Sequence, residues 1–247
     1  MDRSRACALS VNTFRPQTLT DYGVELMNEI KLVVFDLAGT AVKDGGQVTD
    51  AFTAALAEHD IEVTSEQLNS VRGSSKRQAV LRFIPEGADR ARRADSVYAT
   101  FSEHLSRRYR SDGVEPVDGA ARIFQWLRAQ GIRVALNTGF DRGITGLLLA
   151  ALNWEEGIVD AVVCGDDVRR GRPAPYLIFR AMEATGTTGV RQVANVGDTV
   201  MDLEAGHNAC VRWNVGVLSG AHDRQQLERA PHTHLLNSIA ELPNLWR

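Results

Sequence analysis

The stretch Lys31-Leu32-Val33-Val34-Phe35-Asp36-Leu37-Ala38-Gly39-Thr40 decides how the rest of the chain is read. Lys31 to Phe35 is a short apolar run rich in β-branched side chains, the pattern of a buried strand. It stops at a carboxylate, Asp36, with turn-forming residues after it. Open parallel sheets bind ligands beyond the carboxyl ends of their strands, so Asp36 is the first candidate functional residue. As a strand end it is expected to face the surface and add little to the core.

Outward from this strand the chain changes character. Residues 47 to 112 read as helix throughout. Ala51, Phe52, Ala55 and Leu56 fall at helical spacing, as do Ala79, Val80, Phe83 and Ile84 after the candidate caps Ser74 and Ser75. Val97, Phe101 and Leu105 continue the pattern, and no strand is expected there. After Gly113 helices and strands alternate. Helices are expected over 121–130 (closed by Gly131), through 147–152, and over 175–185 and 201–209; strands are expected over 133–137, 158–164, 191–196 and 212–218. This predicts an α/β fold: a doubly wound, Rossmann-like parallel sheet with helices on both faces and a separate helical domain inserted after the first strand. The expected division is an N-terminal extension over 1–29, a core over 30–46 and 113–247, and the helical insert over 47–112.

Composition bounds the function. The 247 residues are 44% hydrophobic and 24% charged, enough for a substantial core. A net charge of -3 leaves no basic stripe for nucleic acid. No apolar run approaches the roughly 18 residues of a membrane span. Cys7, Cys164 and Cys210 form neither a disulfide framework nor a zinc pattern, which fits a reducing, cytoplasmic setting. In the extension, Arg3 and Arg5 precede Ala6-Cys7-Ala8-Leu9, too short for a signal-peptide core. Met27 is placed to act as an alternative start. The extension is expected to be poorly ordered and dispensable for activity.

Four strand ends or loops carry polar chemistry: Asp36-Leu37-Ala38-Gly39-Thr40, Asn137-Thr138-Gly139, Gly171-Arg172-Pro173, and Gly197-Asp198-Thr199-Val200-Met201-Asp202. Singly, an acidic residue after a strand is usually a cap or turn former. Together they suit phosphoryl transfer through a covalent aspartyl intermediate. A carboxylate attacks an anionic phosphoryl group only when charge is neutralised. Asp36 and Asp198, with the backbone carbonyl of Ala38, offer the hard oxygen ligands that Mg²⁺ prefers. Thr138 and the amides after Asp36 can grip phosphoryl oxygens, and Arg172 supplies positive charge to the developing pentacoordinate species.

From residue 31 to about 222 the set resembles the haloacid dehalogenase superfamily, in its metal-dependent phosphohydrolase branch. The resemblance implies Asp36 as nucleophile, Thr138 as second-motif phosphate ligand and Arg172 in the third-motif basic position. It implies Asp198 as a metal ligand, Asp202 as a ligand or its support, and residues 47–112 as a mobile cap. Gly39, Thr40, Gly139 and Arg72 are the expected substrate-binding residues.

Two positions depart from the ordinary phosphatase pattern. Where those enzymes carry the acid that protonates the leaving oxygen, this chain has Ala38; general acids are worth about 10²–10⁴ in rate. Arg172 replaces the usual third-motif lysine. Both features resemble phosphonoacetaldehyde hydrolase (phosphonatase) and its relatives, in which a cap lysine forms a Schiff base with the substrate aldehyde. Lys76, in Gly73-Ser74-Ser75-Lys76, falls at that position. Four phosphonatase residues are replaced: His by Ala79, Met by Arg72, Tyr by Phe140 and a loop Cys by Gly46. The residues fit a phosphonatase-like hydrolase of a small phosphonate or phosphate compound, with Lys76 as an anion clamp, a Schiff-base amine or a solvated charge. Arg72 can pair with a carboxylate or second phosphate. Phosphonatase itself, a metal-free dehalogenase and a non-catalytic phospho-ligand binder are the alternatives, and a homodimer is implied by resemblance alone. His104, His207 and the four tryptophans read as packing or surface residues, and Asp166 and Asp167 as partners of Arg169 or Arg170.

Overall fold

A computed structural model describes residues 29–155 and 157–246. The extension's Arg3, Arg5, Cys7 and Met27 lie outside the described residues. Six parallel strands form one sheet in the order β3-β2-β1-β4-β5-β6. They are β1 (Leu32–Asp36), β2 (Arg133–Asn137), β3 (Ala161–Val163), β4 (Val193–Gly197), β5 (Trp213–Val217) and β6 (His234–Leu236). β1 lies between β2 and β4, and every one of its residues is buried, Asp36 included. That burial corrects the surface-facing position expected for Asp36, which is only 6% exposed.

Side chains alternate across β1. Leu32 and Val34 join a core with Leu177, Ile178, Ala181 and Met182 of α7 (Tyr176–Thr185) and Ala205 of α8 (Val200–Asn208). Val33 and Phe35 face the opposite layer, where Phe35 lies 5.1 Å from Phe124 of α5 (Ala120–Ala129). Period-two alternation thus puts apolar side chains on both faces, and a helix layer covers each.

Four helices fill the interval after β1: α1 (Gln47–Glu58), α2 (Ser65–Ser70), α3 (Lys76–Phe83) and α4 (Arg90–Asp112). Their apolar side chains run continuously into the sheet layer. Phe52 packs edge-on against Phe101 at 5.7 Å, and Phe101 stacks on Phe140 at 6.4 Å, just before α6 (Arg142–Ala151). Tyr98 Oη accepts the Asp141 amide at 3.2 Å.

Several expectations need correction. Ser75 occupies the N-cap of α3 without a side-chain cap bond, and Ser74 turns its hydroxyl onto the Val71 carbonyl (2.6 Å). The strand expected over 158–164 shrinks to three residues. Just before it, Asp160 turns its carboxylate back onto the Val134 amide (2.8 Å), with Arg133 on its other oxygen. Asp167 pairs with Arg142 (2.5 Å) rather than Arg169 or Arg170, and Asp166 accepts the Arg142 amide. The tail beyond β5, unassigned from sequence, contains α9 (Arg224–Glu228), β6 and a 3-10 helix, Ile239–Trp246. Trp126 stacks on Trp246 at 6.2 Å and Trp154 meets Phe124 at 5.4 Å, packing roles as expected. Cys164 and Cys210 are free thiols. Among the described residues no helix is long and apolar enough to cross a membrane.

Candidate active site

Register places the first groups. β1 and β2 align Asp36 with Asn137, and β4, on the other side of β1, ends at Gly197 and so delivers Asp198 beside them. Carboxylate oxygens of Asp36, Asp198 and Asp202 lie within 4.8 Å of one another, all on buried residues.

Arg172 threads this cluster. Its Nη2 is 2.6 Å from Asp36 Oδ1 and its Nε 2.9 Å from Asp202 Oδ1. Nη2 also donates to Asn137, at the carbonyl oxygen (3.2 Å) and at Oδ1, while Nη1 donates to the Gly73 carbonyl (3.2 Å). A planar fork of donors suits such divergent contacts, and an ammonium would not span them. Arg172 therefore ties the β1 and β2 ends, the α8 terminus and the loop before α3 into one network.

Asp198 is held differently. Its Oδ1 accepts the Thr40 hydroxyl (2.9 Å) and its Oδ2 the Ala221 amide (2.7 Å). Gly39 lies directly against it: its φ is +94°, and a Cβ there would sit 2.4 Å from Asp198 Oδ2. Gly39 and Thr40, expected at the substrate, thus stand behind Asp198. The Gly39 amide donates to the Val42 carbonyl, and the Thr40 hydroxyl is committed to Asp198. Asp202 also stands behind the cluster. Its Oδ2 accepts the Thr199 amide (3.1 Å) and hydroxyl (2.5 Å), while the Thr199 hydroxyl in turn accepts the Asp202 amide. This reciprocal capping box satisfies the first turn of α8.

Burial pushes the Asp36 carboxyl well above the ordinary carboxylate range, against the lowering effect of Arg172, and the charges of Asp202 and Asp198 push it further up. Asp198 is raised to about 6, by burial first and then by Asp202. Three buried carboxylates face one guanidinium, and that guanidinium touches only two of them. An all-oxygen, electron-rich donor set of this kind fits a hard divalent cation such as Mg²⁺.

These groups open into one pocket, which encloses about 680 Å³ including open solvent. The core contributes Asp36, Ala38, Thr138, Gly139, Arg172 and Asp198; Phe52, Arg72 and Lys76 reach it from the helical insert. Thr138 Oγ1 accepts the Phe140 amide (3.2 Å), which leaves its hydroxyl proton for a ligand. Lys76, at the start of α3, is half-buried, and its Nζ lies 6.0 Å from the Phe52 ring centroid. Its pKa is lowered to about 8, by burial first, against the raising effects of Asp44 and Asp36. Of the expected site residues, only Gly39, Thr40 and Asp202 do not line the pocket.

Three contributors have no role in the sequence reading, although Asn137 stands in one of its four polar motifs. Asn137 holds Arg172 from the end of β2. Asp44 lines the pocket while its Oδ1 accepts the Gly46 (3.1 Å) and Val48 (3.4 Å) amides at the start of α1. The loop after β5 brings the Ala221 amide to Asp198 and the Ser219 hydroxyl to the Gly39 carbonyl (2.8 Å). The small residues Ser219-Gly220-Ala221 after an apolar run were its one sequence signal.

Comparison with known proteins agrees with this geometry. The family profile for a haloacid dehalogenase-like hydrolase matches residues 30–209. The phosphonoacetaldehyde hydrolase of Parabacteroides distasonis is 30% identical over 254 residues, covering 88% of this chain and 96% of the relative. That of Bacillus cereus is 30% identical over 208 residues, covering 79% and 78%. Two solved structures share the fold. A hydrolase from Pseudomonas syringae has a TM-score of 0.77 at 22% identity, covering 87% of this chain and 96% of its own. A phosphonoacetaldehyde hydrolase like protein from Oleispira antarctica has 0.76 at 22%, covering 97% and 95%. With its sheet order, its matched span and these relatives, the chain belongs to the haloacid dehalogenase-like hydrolases, in their phosphonatase-like branch.

Proposed function

We propose that the protein is a Mg²⁺-dependent hydrolase of a small phosphonate or phosphate compound, with Asp36 as its nucleophile. The observation that carries this reading is Asp36 itself: the last residue of the central strand, with Arg172 on one oxygen and two further carboxylates within 4.8 Å. Asp36, Asp198 and the Ala38 carbonyl would hold the cation, with Asp202 as a further ligand or as support through Thr199 and Arg172. The bound cation would supply neutralising charge to the carboxylates and the phosphoryl group.

An Asp36 oxygen attacks phosphorus, and the bond to the leaving atom breaks with its electron pair on the leaving group. Water then attacks the aspartyl phosphate and returns free Asp36 and phosphate. Arg172 holds Asp36 in place, and Thr138 donates to a phosphoryl oxygen. Ala38 brings no acid, so the leaving group must depart without a proton from that position. Residues 47–112 act as the cap that shapes the pocket, and free Cys164 and Cys210 suit a cytoplasmic setting. The test is beryllium fluoride inhibition together with phosphate release from a panel of phosphonates and phosphate esters. Inhibition should need Mg²⁺ and disappear in Asp36→Asn; inhibition that persists in that variant would defeat the reading.

One observation favours phosphonoacetaldehyde itself as substrate. Lys76 shares the pocket with Asp36, and its lowered pKa gives it a neutral fraction near neutral pH. A neutral amine can condense with an aldehyde, release water, and leave an imine that accepts the electron pair of the breaking C–P bond. Borohydride added during turnover would then inactivate the enzyme and add mass to the Lys76 peptide. Full activity after that treatment leaves Lys76 as an anion clamp.

A further inference from the structure

The proposed reaction accounts for the core side of the pocket but leaves Arg72, which lines it from the insert, without an acceptor. Arg72, in the loop between α2 and α3, lines the pocket, yet its side chain makes no hydrogen bond or ion pair among the described residues, and its Nε is fully buried without a partner. His222, next to the pocket-lining Ala221, accepts the Val200 amide at Nδ1 (3.0 Å), so its Nε2 carries the ring proton. That Nε2 is also buried and unpartnered. The charge of Arg72 reaches His222 and Lys76, lowering the pKa of both.

Orphaned buried donors are uncommon in native proteins and cost stability. Arg72 lines the pocket from the helical insert, and His222 follows the pocket-lining Ala221 in the loop after β5. The pocket's anions are committed elsewhere. Asp36 and Asp202 hold Arg172, Asp198 accepts from Thr40 and Ala221, and Asp44 caps α1. What Arg72 lacks is an oxygen acceptor, and the pocket it lines also holds Asp36 and Lys76.

We infer that the substrate carries a second anionic oxygen group, a carboxylate, at the end away from the phosphoryl group, and that Arg72 is the residue that reads it. Its terminal nitrogens, which have no acceptor among the described residues, offer the paired N–H geometry that matches a carboxylate. The inference rests on the phosphoryl site described above and adds the substrate class that this site prefers.

Calorimetric binding of two inert ligands in the presence of Mg²⁺ tests it without hydrolysis. Phosphonoacetate carries the second anion and ethylphosphonate does not. The wild-type protein should bind phosphonoacetate at least tenfold more tightly. Arg72→Met should bring the two dissociation constants within about threefold, chiefly by weakening phosphonoacetate. Arg72→Lys, which keeps the charge but not the fork, should lose most of the preference and covers the case in which Arg72→Met fails to fold. Equal binding by the wild type overturns the inference. So does a preference that survives in either variant, as it would if the carboxylate simply chelated the metal. If neither ligand binds the wild type, the phosphoryl site itself has failed, an outcome distinct from lost discrimination.

Discussion

The two sides of the pocket are built on opposite principles. On the core side every charged group is tied down. Arg172 donates to Asp36, Asn137, Asp202 and Gly73, Asp198 has two donors, and Asp202 closes a capping box. On the insert side, Arg72 and Lys76 line the same space with no hydrogen bond or ion pair among the described residues. A saturated network fixes geometry for a reaction, whereas unsatisfied donors wait for a ligand. In physical terms the proposed chemistry would use the fixed sheet edge, and the insert would select the substrate.

Removing the proposed nucleophile breaks the comparison most severely. Asp36→Asn should lower phosphate release by about 10³-fold or more. Its melting temperature should stay level or rise, because the wild-type carboxylate is buried at a cost. Asp202→Asn should instead lower the melting temperature, since it opens the reciprocal Thr199 cap of α8 as well as the pair with Arg172. Phosphate assays beside thermal melts check both, and comparable melting losses in the two variants would erase the distinction between reacting and supporting carboxylates.

Ala38→Asp sharpens the core side. A carboxyl placed where Ala38 lines the pocket can protonate a leaving oxygen, so alkyl phosphate turnover should rise about 10²-fold relative to aryl phosphate turnover. An unchanged alkyl-to-aryl ratio would show that the missing acid is not at residue 38.

Gly73→Ala probes the seam between the two sides. Gly73 has φ +78°, its carbonyl accepts from Arg172, and a Cβ would lie 2.2 Å from Thr199 Oγ1. A side chain there must push the loop carrying Arg72 and Lys76 off the core. Steady-state kinetics should show kcat/KM reduced about tenfold, as expected for a misplaced positioning loop. Wild-type kinetics would mean that the loop need not dock this closely.

Much of this was legible in the sequence, and the reasons are specific. β1 declared itself because a strand covered on both faces must be apolar at every position, and its polar end then stood out. The motif residues Asp36, Thr138, Arg172 and Asp198 could be grouped because a parallel sheet gathers its strand ends. Boundaries were legible only where local chemistry set them. β3 starts only at Ala161, just after Asp160, whose carboxylate accepts the Val134 amide across the strands, a contact that no local pattern encodes. Thr40 was assigned to substrate because it follows the nucleophile; its contact with Asp198, 158 residues away, exists only in the fold. Asn137 and Ala221 act through the groups they hold, so their residue types carried no signal.

The smallest expected effect is thermodynamic and bears on the cation proposed for the core side. Asp198 has its pKa raised from an ordinary 3.8 to about 6, with burial as the leading cause and Asp202 next. The folded protein therefore holds this proton more tightly than the unfolded chain does. The stabilising contribution is full below about 3.8 and is lost as pH rises through about 6. Asp36 acts in the same direction. In chelator-treated protein, Asp198→Asn should consequently melt higher than the wild type at pH 7, and the gap should close toward pH 4. Mg²⁺ binds the ionised carboxylates of the folded state, so it should raise the wild-type melting temperature by several degrees at pH 7, less at pH 5, and far less in Asp198→Asn. Melting curves across pH, with and without Mg²⁺, decide the matter. A gap independent of pH would mean that Asp198 is no more strained than an ordinary carboxylate. A Mg²⁺ response unaltered in the variant would move the cation away from Asp198.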